Sequence, residues 1–600
     1  MKRVFAIVLA LIALLALPGG AAAKRHGDTQ LQLLAINDLH GHLAPNTPGT
    51  IQTGCCVPAR NSAGVQTGWT QRTVPAGGIS YLATHIEALR QGHPNTLTVG
   101  AGDMIGASPL VSALFHDEPT IEALNSIGMD VAGVGNHEFD EGVDELERMR
   151  FGNQRGGDGC HPVDGCQDGT PYGGSLFPYL AANVFFFGTD DTIFPPYEVR
   201  RVGNAKVAFI GLTFEGTPTV VTPSAIEGLE FTPEVPTVNA LVYKLRREQG
   251  VKAFVVLLHQ GGAQSPPAPP PFPGPEPVGN EYTDVDRCVN FTGPDMQAIA
   301  EGLTPRVRVI VSAHTHQPYI CKMSGKLVTS AASFGRVVTE INLTIGRKSG
   351  TVIRATADNH IVTQDVAKDA ATQAILDKYT TLSAPLANRV VGEITADIRS
   401  GRDNPTGTNA AGEQPMGDVI ADAMLEATKP SDFGSAAAAF MNSGGVRAGL
   451  FFNQISGGEQ PGEVTYAEAF TVQPFGNTLV VKTCTGQQIY DVLNQQFNNP
   501  AAGQNRIMLP SANVHYQWTT AGGAHVVDGS VTFDGTPVSK AASYRIAVNN
   551  FMADGGDNYT VFRSCTQPLG GEVDLDAFAR YLDAHKPVAP PPLNRIEKVG

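Results

Sequence analysis

The sequence is short of basic charge. Against 57 Asp and Glu it carries 42 Lys and Arg in 600 residues, a formal net charge of −15. Such a surface repels a nucleic-acid backbone and argues against a polymer held through a basic patch, while a small anionic substrate gripped by local cations stays open. Acidic balance of this kind otherwise serves solubility. After Leu17 no stretch approaches the roughly 20 apolar residues of a membrane span. The end of the sequence, Glu597-Lys598-Val599-Gly600, carries neither a span nor a hydrophobic anchor signal. Internal repeats are lacking. Cysteines number eight, an even count that fits an oxidising compartment. Cys160/Cys166 and Cys484/Cys565 are the expected pairs, with Cys55, Cys56, Cys288 and Cys321 left open. A vicinal Cys55-Cys56 bridge would be strained, which favours outward pairing for those two.

What is present begins with Lys2-Arg3, the apolar run Val4 to Leu17 and the small-residue stretch Pro18-Gly19-Gly20-Ala21-Ala22-Ala23. These are the three parts of a secretory signal, so the mature chain is expected to start near Lys24 and to be secreted or periplasmic. The length exceeds one hydrophobic core and predicts two domains.

The first half alternates short aliphatic runs with helix-like stretches, a βα rhythm. The runs are Leu31 to Ile36, Thr96 to Val99, Val131 to Val134, Val207 to Leu212, Ala253 to Leu258 and Val307 to Val311. Asn46 to Ala76 and the proline-rich Ser265 to Pro277 read as inserted loops, the second as exposed polyproline II. Gln364 to Leu386 has helical spacing and reads as a linker helix. Beyond it the pattern predicts a helix at Met416 to Thr428, a strand at Ala437 to Met441 and a helix from Gly486 to Phe497.

Polar clusters close five of the predicted strands. They are "INDLHGH" with Asp38, His40 and His42, "GAGDMIGASP" with Asp103, "GNHEFD" with Asn136, His137, Glu138 and Asp140, "LLHQGG" with His259, and "SAHTHQP" with His314 and His316. Open α/β sheets place ligands at the carboxyl ends of strands. One Asp-x-His or His-x-His is commonly a hydrogen-bonded loop; five such clusters, each after an apolar run, are not loop chance. Their oxygen and nitrogen donors suit Zn, Mn or similar ions, and the lack of cysteine among them argues against a structural zinc knot.

Taken together these motifs, over roughly Leu31 to Ile345, resemble the calcineurin-like metallophosphatase domain of the secreted 5'-nucleotidase family, which also includes UDP-sugar hydrolases and 2',3'-cyclic phosphodiesterase/3'-nucleotidases. The resemblance implies two divalent metal ions. Asp38, His40 and His316 would bind one, Asn136, His259 and His314 the other, and Asp103 both. A dimetal centre clamps phosphoryl oxygens during in-line attack, and phosphoryl transfer depends on charge neutralisation and positioning. The resemblance also implies that His137 faces the phosphate, with Asp140 orienting its ring. Glu138 has no counterpart in the motif and reads as a helix-start carboxylate facing the dipole. His42 reads as a supporting residue.

In the second half, "MNSGGVRAGL", "VQPFGNTL" and "NNFMADGGDNY" resemble the 5'-nucleotidase C-terminal domain over about Val390 to Leu582. By that resemblance Phe475 and Phe551 would sandwich a nucleobase, Asp557 would accept from ribose hydroxyls, and Asn442 and Arg447 would contact the ribose or phosphate. One departure stands out: the family's arginine shortly before Met-Gly is replaced here by "NAAGEQPMGD", leaving Arg399 and Arg402 as the nearest candidates.

The implied fold is α/β: a four-layer metallophosphatase β-sandwich flanked by helices, then a smaller α/β nucleotide-binding domain. The implied organisation is a signal peptide over 1–23, a metallophosphatase domain over 29–360, a linker and hinge over 361–389 and a substrate-binding domain over 390–597. The expected activity is hydrolysis of nucleoside 5'-monophosphates. The alternatives are 2',3'-cyclic phosphodiesterase/3'-nucleotidase or UDP-sugar hydrolase activity and, outside enzymes, a secreted binding protein with a relic site.

Overall fold

The computed structural model describes residues 27–45, 49–60, 65–221, 223–264, 285–403, 406–499 and 504–600. The signal-like segment, the proline-rich stretch Ser265 to Pro277 and the side chains of Cys55 and Cys56 lie outside the described residues.

Two six-stranded sheets form the first half. The first runs Val352–Ile361, Val337–Ile345, Thr29–Ile36, Thr96–Gly100, Val131–Gly133, Tyr179–Leu180; the second runs Pro318–Met323, Lys326–Ala331, Val307–Ser312, Ala253–Leu258, Ala205–Leu212, Tyr197–Val202. Their central strands are parallel, pairing Leu33 with Leu97 in one sheet and Val256 with both Ile210 and Ile310 in the other.

Parallel strands are covered on both faces, which is why these segments read as unbroken aliphatic runs. Leu31, Leu33 and Ala35 point between the sheets, against Val207, Phe209, Val255 and Leu257. Leu34 and Ile36 point outward to the helices Ile79–Arg90 and Glu118–Ser126. On the far side Ile210, Val256 and Leu258 pack on Val238, Val242 and Leu245 of the helix Glu234–Gln249. Each such fully buried aliphatic side chain contributes about 1.5–3 kcal/mol. The result is the expected four layers, helix, sheet, sheet, helix.

The described residues of the segment Asn46 to Ala76 are largely strand rather than loop. Thr50–Arg60 and Gln66–Pro75 pair as an antiparallel hairpin with irregular register. Its arms pair through the backbone, and among their described side chains Ile51 and Val74 join an apolar cluster, too sparse an apolar set to mark the strands by alternation.

The linker helix spans Ala370–Ala387, later than its predicted start because the Asp369 side chain accepts from the Thr372 amide and sets the N-cap. It is fastened to the first half. Lys378 Nζ reaches Glu122 at 3.0 Å and Asp168 at 2.9 Å, the Tyr379 hydroxyl donates to Glu122 at 2.9 Å, and Ser80 donates to Gln373 at 3.0 Å.

The second half centres on a five-stranded sheet in the order Met508–Pro510, Ala438–Asn442, Ser543–Asn549, Thr478–Thr485, Thr566–Val573. Helices Pro415–Thr428 and Asp574–Ala584 cover one face, and Gly486–Gln495 covers the other. The strand Ile596–Lys598 adds in parallel to Val514–Thr519. Cys160–Cys166 and Cys484–Cys565 are bonded as expected, and Cys288–Cys321 is a third disulfide.

Candidate metal centre and facing cleft

Because the central strands run in one direction, their carboxyl ends share an edge of the sandwich, and the polar clusters meet there. Asp38 and His40 follow Thr29–Ile36, Asp103 follows Thr96–Gly100, Asn136 follows Val131–Gly133, His259 follows Ala253–Leu258, and His314 and His316 follow Val307–Ser312. Five of these residues hold left-handed backbone: φ is 50° at Asp38, 48° at His40, 53° at Asp103, 72° at His314 and 58° at His316. Such conformations cost about 1–3 kcal/mol each and persist where the surroundings over-determine them. The loops are also closely apposed. A Cβ on Gly135 would lie 2.2 Å from Asp103 Oδ1, so only glycine lets the Asn136 turn approach.

The side chains converge as two groups. Asp38, His40 and His316 offer ligand atoms within 4.8 Å of one another, as do Asp103, His259 and His314. Nε2 atoms of His40 and His316 stand 3.1 Å apart. His259 Nε2 is 3.0 Å from Asp103 Oδ2 and 3.1 Å from Asn136 Oδ1. The same Asp103 oxygen lies 3.6 Å from His40 Nε2, so this carboxylate touches both groups. Backbone carbonyls fix the rings: His40 Nδ1 pairs with Gly106 O at 2.9 Å and His259 Nδ1 with Ala101 O at 3.0 Å, which turns Nε2 of each toward the cluster as the atom that could hold a metal. Asn37, which the sequence motifs did not single out, donates to Asp38 at 2.6 Å and to Ala332 O at 2.7 Å, and so orients that carboxylate. His42 is buried against the Phe334 ring, centroids 4.0 Å apart, in keeping with a supporting role.

The electrostatics suit cations. Burial, reinforced by His137 and Arg447, holds His40 well below the usual imidazole range against the pull of Asp103. Burial and His40 do the same to His316, and burial and His259 bring His314 down to about 3. Burial pushes Asp38 up to about 7, with His259 opposing. At His40, His314 and His316 the neutral imidazole, the ligand form, is thus favoured, whereas at His259 burial is outweighed by Asp103, which raises it to about 9; the Nε2 atoms of His40 and His316, 3.1 Å apart, are an arrangement that a dication completes. The donor set of imidazole, amide and carboxylate thus fits divalent metal.

His137 begins the short 3-10 helix His137–Phe139, and its Nδ1 lies 2.8 Å from Asp140 Oδ2. Burial opposes its protonation, but Asp140 and Asp103 outweigh that and raise its pKa. Glu138 differs from expectation. It is buried and accepts three backbone N–H bonds, from Asp103 at 2.9 Å, Met104 at 2.8 Å and Gly135 at 2.6 Å. Its carboxylate ties the Asp103 loop to the Asn136 loop, where the sequence suggested a helix-dipole contact. Burial, with the charge of Asp103, pushes it up to about 7.

The second half brings its own strand ends to this edge, across a cleft of about 990 Å3. Asp103, Asn136, His137, Asp140, His314 and His316 line one wall. Asn442, Arg447, Phe475, Phe551 and Asp557 line the other. The Phe475 ring stacks on His137 with centroids 5.9 Å apart and 18° between planes, and the Arg447 guanidinium lies 5.5 Å from the Phe475 centroid.

Asp557 is already engaged: Asn442 Nδ2 donates to one oxygen at 2.7 Å, and the Arg506 guanidinium pairs with the other. Arg506 was not foreseen. It sits in "GQNRIML", a lone cation before an apolar run, and only the fold brings it to Asp557, 51 residues away in the chain. Of the two arginines near the motif departure, Arg402 lines the cleft, whereas Arg399 pairs with Asp397 at 2.8 Å. Repulsion from Arg447, then burial and Arg506, lowers Arg402 to about 9, a sign that three guanidinium groups crowd one place.

Known proteins resemble this chain over most of its length. The calcineurin-like phosphoesterase pattern matches residues 31–318, and that of the 5'-nucleotidase C-terminal domain matches 390–564. Endonuclease YhcR of Bacillus subtilis (strain 168) is 31% identical over 563 residues, covering 93% of this chain; the chain spans only 40% of that protein. A 5'-nucleotidase of Vibrio cholerae is 24% identical over 567 residues, 87% of each chain. Among solved structures, a 5'-nucleotidase precursor from Thermus thermophilus shares the fold, with a TM-score of 0.69 and 23% identity over 95% of this chain and 99% of that one.

Proposed function

The chain belongs to the metal-dependent phosphoric ester hydrolases that join a calcineurin-like phosphoesterase domain to a 5'-nucleotidase C-terminal domain, and from that premise we propose that it hydrolyses nucleoside 5'-monophosphates to nucleoside and phosphate. The observation that carries this reading is the facing of two walls: Phe475 and Phe551, Arg402 and Arg447 stand opposite the Asp103, Asn136 and histidine cluster in one cleft.

We assign Asp38, His40 and His316 to one divalent ion, Asn136, His259 and His314 to a second, and Asp103 to both. When bound, the ions would supply Lewis-acid stabilisation of the phosphoryl oxygens. His137, fixed at Nδ1 by Asp140, keeps Nε2 as the donor for a phosphoryl or leaving-group oxygen. Phe475 and Phe551 offer flat faces to a nucleobase, which stacks without its edge being read. Arg447 and Arg402 neutralise phosphate, Arg402 taking the part of the arginine missing before Met416. As water attacks phosphorus in line, the bond to the 5' oxygen breaks and the nucleoside leaves as its alcohol.

One feature favours the neighbouring activities of the same family. Arg506 holds the carboxylate expected to accept from ribose hydroxyls, so that a guanidinium adjoins the ribose position. A phosphate on the 2' or 3' oxygen would be matched there, as in a 2',3'-cyclic phosphodiesterase/3'-nucleotidase. Chromatographic analysis of the products formed from AMP, 3'-AMP, 2',3'-cyclic AMP, UDP-glucose and a single-stranded oligonucleotide, with and without chelator, separates the readings. Turnover of AMP that survives chelation would sink the dimetal assignment. Preference for 2',3'-cyclic AMP that disappears in Arg506→Ala would establish the second reading. Export is part of the proposal: it is supported by the signal-like start and by the disulfides Cys160–Cys166, Cys288–Cys321 and Cys484–Cys565. Among the described residues no helix is long and apolar enough to cross a membrane.

A further inference from the structure

We propose a separate transition-metal site outside the cleft, formed by His116, His161 and Asp164, with Glu141 behind His116. His161 and Asp164 stand in the loop closed by the Cys160–Cys166 disulfide, and His116 follows the short helix Leu110–Ala113 with a left-handed φ of 51°. The two imidazole rings stack with centroids 3.7 Å apart and 22° between planes. His116 Nε2 lies 2.7 Å and His161 Nδ1 2.8 Å from the same oxygen, Asp164 Oδ1. All three ligand atoms fall within 4.8 Å of one another.

Glu141 decides which nitrogen His116 presents. Its Oε2 is 2.5 Å from His116 Nδ1, and a carboxylate that takes the proton of one ring nitrogen leaves the other as the metal ligand. Two imidazoles and a carboxylate form the N2O set that Zn, Co, Ni or Cu accepts, with open positions for water.

The alternative occupant is a proton. Burial works against it, yet Glu141 and Asp164 raise His116 to about 9, so one imidazolium is well held. The rings stack 3.7 Å apart with one nitrogen of each on the same Asp164 oxygen, an arrangement in which one dication serves both lone pairs. The Asp164 side chain is half exposed, at 50%, so its carboxylate has room to withdraw to bonding distance from an entering ion. The site would pin the disulfide loop against the turn that follows Asp140, since Glu141 is the next residue.

The full-length chain, stripped with chelator and desalted, tests the proposal by calorimetric titration with Zn and elemental analysis. The parent should bind one equivalent more than His161→Ala, with nucleotide turnover unchanged in the variant. The cleft is removed from the count by Asp103→Asn: in that background one tight equivalent should remain, and adding His161→Ala should abolish it. Asp164→Asn, a surface change that keeps the shape, should weaken the same equivalent at least tenfold while circular dichroism and melting of the apo protein match the parent. Equal stoichiometry in parent and His161→Ala, or only weak non-stoichiometric uptake in the Asp103→Asn background, would overturn the site and leave the cleft assignment standing. A parent that binds only the His161-dependent equivalent, with none lost on Asp103→Asn, would do the reverse.

Discussion

Glu138→Gln isolates one buried carboxylate. In the parent, Oε2 accepts from the amides of Asp103 and Gly135 and Oε1 from that of Met104, at a residue 3% exposed. Glutamine keeps the volume but has one acceptor oxygen. If that oxygen serves Asp103 and Gly135, the amide NH2 faces the Met104 N–H; in the other orientation two donors lose their acceptor. A buried donor left without a partner costs about 1–3 kcal/mol, and bonds to a charged acceptor are worth about 1.5–3 kcal/mol, so the substitution should cost about 2–4 kcal/mol in all. At about 2 °C per kcal/mol for a unit of this size, melting of the first half should fall by about 4–8 °C. The strain released is local to the Asp103 and Asn136 turns, so metal affinity should also fall, by about 10–100-fold, with activity partly restored by excess metal. Differential scanning calorimetry and activity against free metal concentration read both effects. A variant that melts with the parent and has an unchanged metal midpoint would show that Glu138 does not act as an ionised triple acceptor.

Three further outcomes are expected. Asp103→Asn, altering the carboxylate that touches both ligand groups, should remove turnover by at least 1,000-fold, on the order of the losses seen when transition-state charge stabilisation is removed, with cleft metal lost in elemental analysis. Phe475→Ala should raise KM for nucleotides by about 10-fold, equivalent to the 1–3 kcal/mol of base stacking, and spare hydrolysis of p-nitrophenyl phosphate; equal loss on both substrates would refute stacking. Asp418 is fully buried with Arg595 3.8 Å away, and burial pushes it up to about 9. An acid raised on folding adds stability in full below its unfolded pKa, near 4, and loses it as pH climbs toward 9. Asp418→Asn should therefore flatten the decline of the second half's melting temperature between pH 5 and pH 9, measured against the parent by calorimetry.

The candidate metal-binding residues were legible because each follows an aliphatic strand, and parallel strands carry their ends to one edge without further information. The aliphatic runs themselves were legible because both faces of each sheet are covered. Glu138 was not, although it lies inside a motif: its meaning is set by amides at Asp103 and Met104, which no local pattern connects to it. Arg506 was hidden for the same reason, a lone cation whose partner is brought by the fold. The hairpin Thr50–Arg60 with Gln66–Pro75 went unseen because backbone pairing leaves no periodic apolar trace. The strand Thr566–Val573, with Pro568 and two glycines, escaped because it pairs along one side only, with Thr478–Thr485 at the sheet edge, where proline is tolerated.

The fastening of the linker helix bears on how the cleft could be opened. The 18-residue helix is bolted to the metal-bearing half through Lys378 and Tyr379, so it would travel with that half as a strut. On the other side, the Arg389 carbonyl already accepts from the Tyr466 amide at 2.8 Å and its guanidinium sits 5.0 Å from the Tyr466 ring, which makes Arg389 part of the opposite half. Were the halves to swivel, these two fastenings would place the turn near Asn388. Such a joint would act as a pin rather than a flexible cord, its axis set by a few dihedral angles.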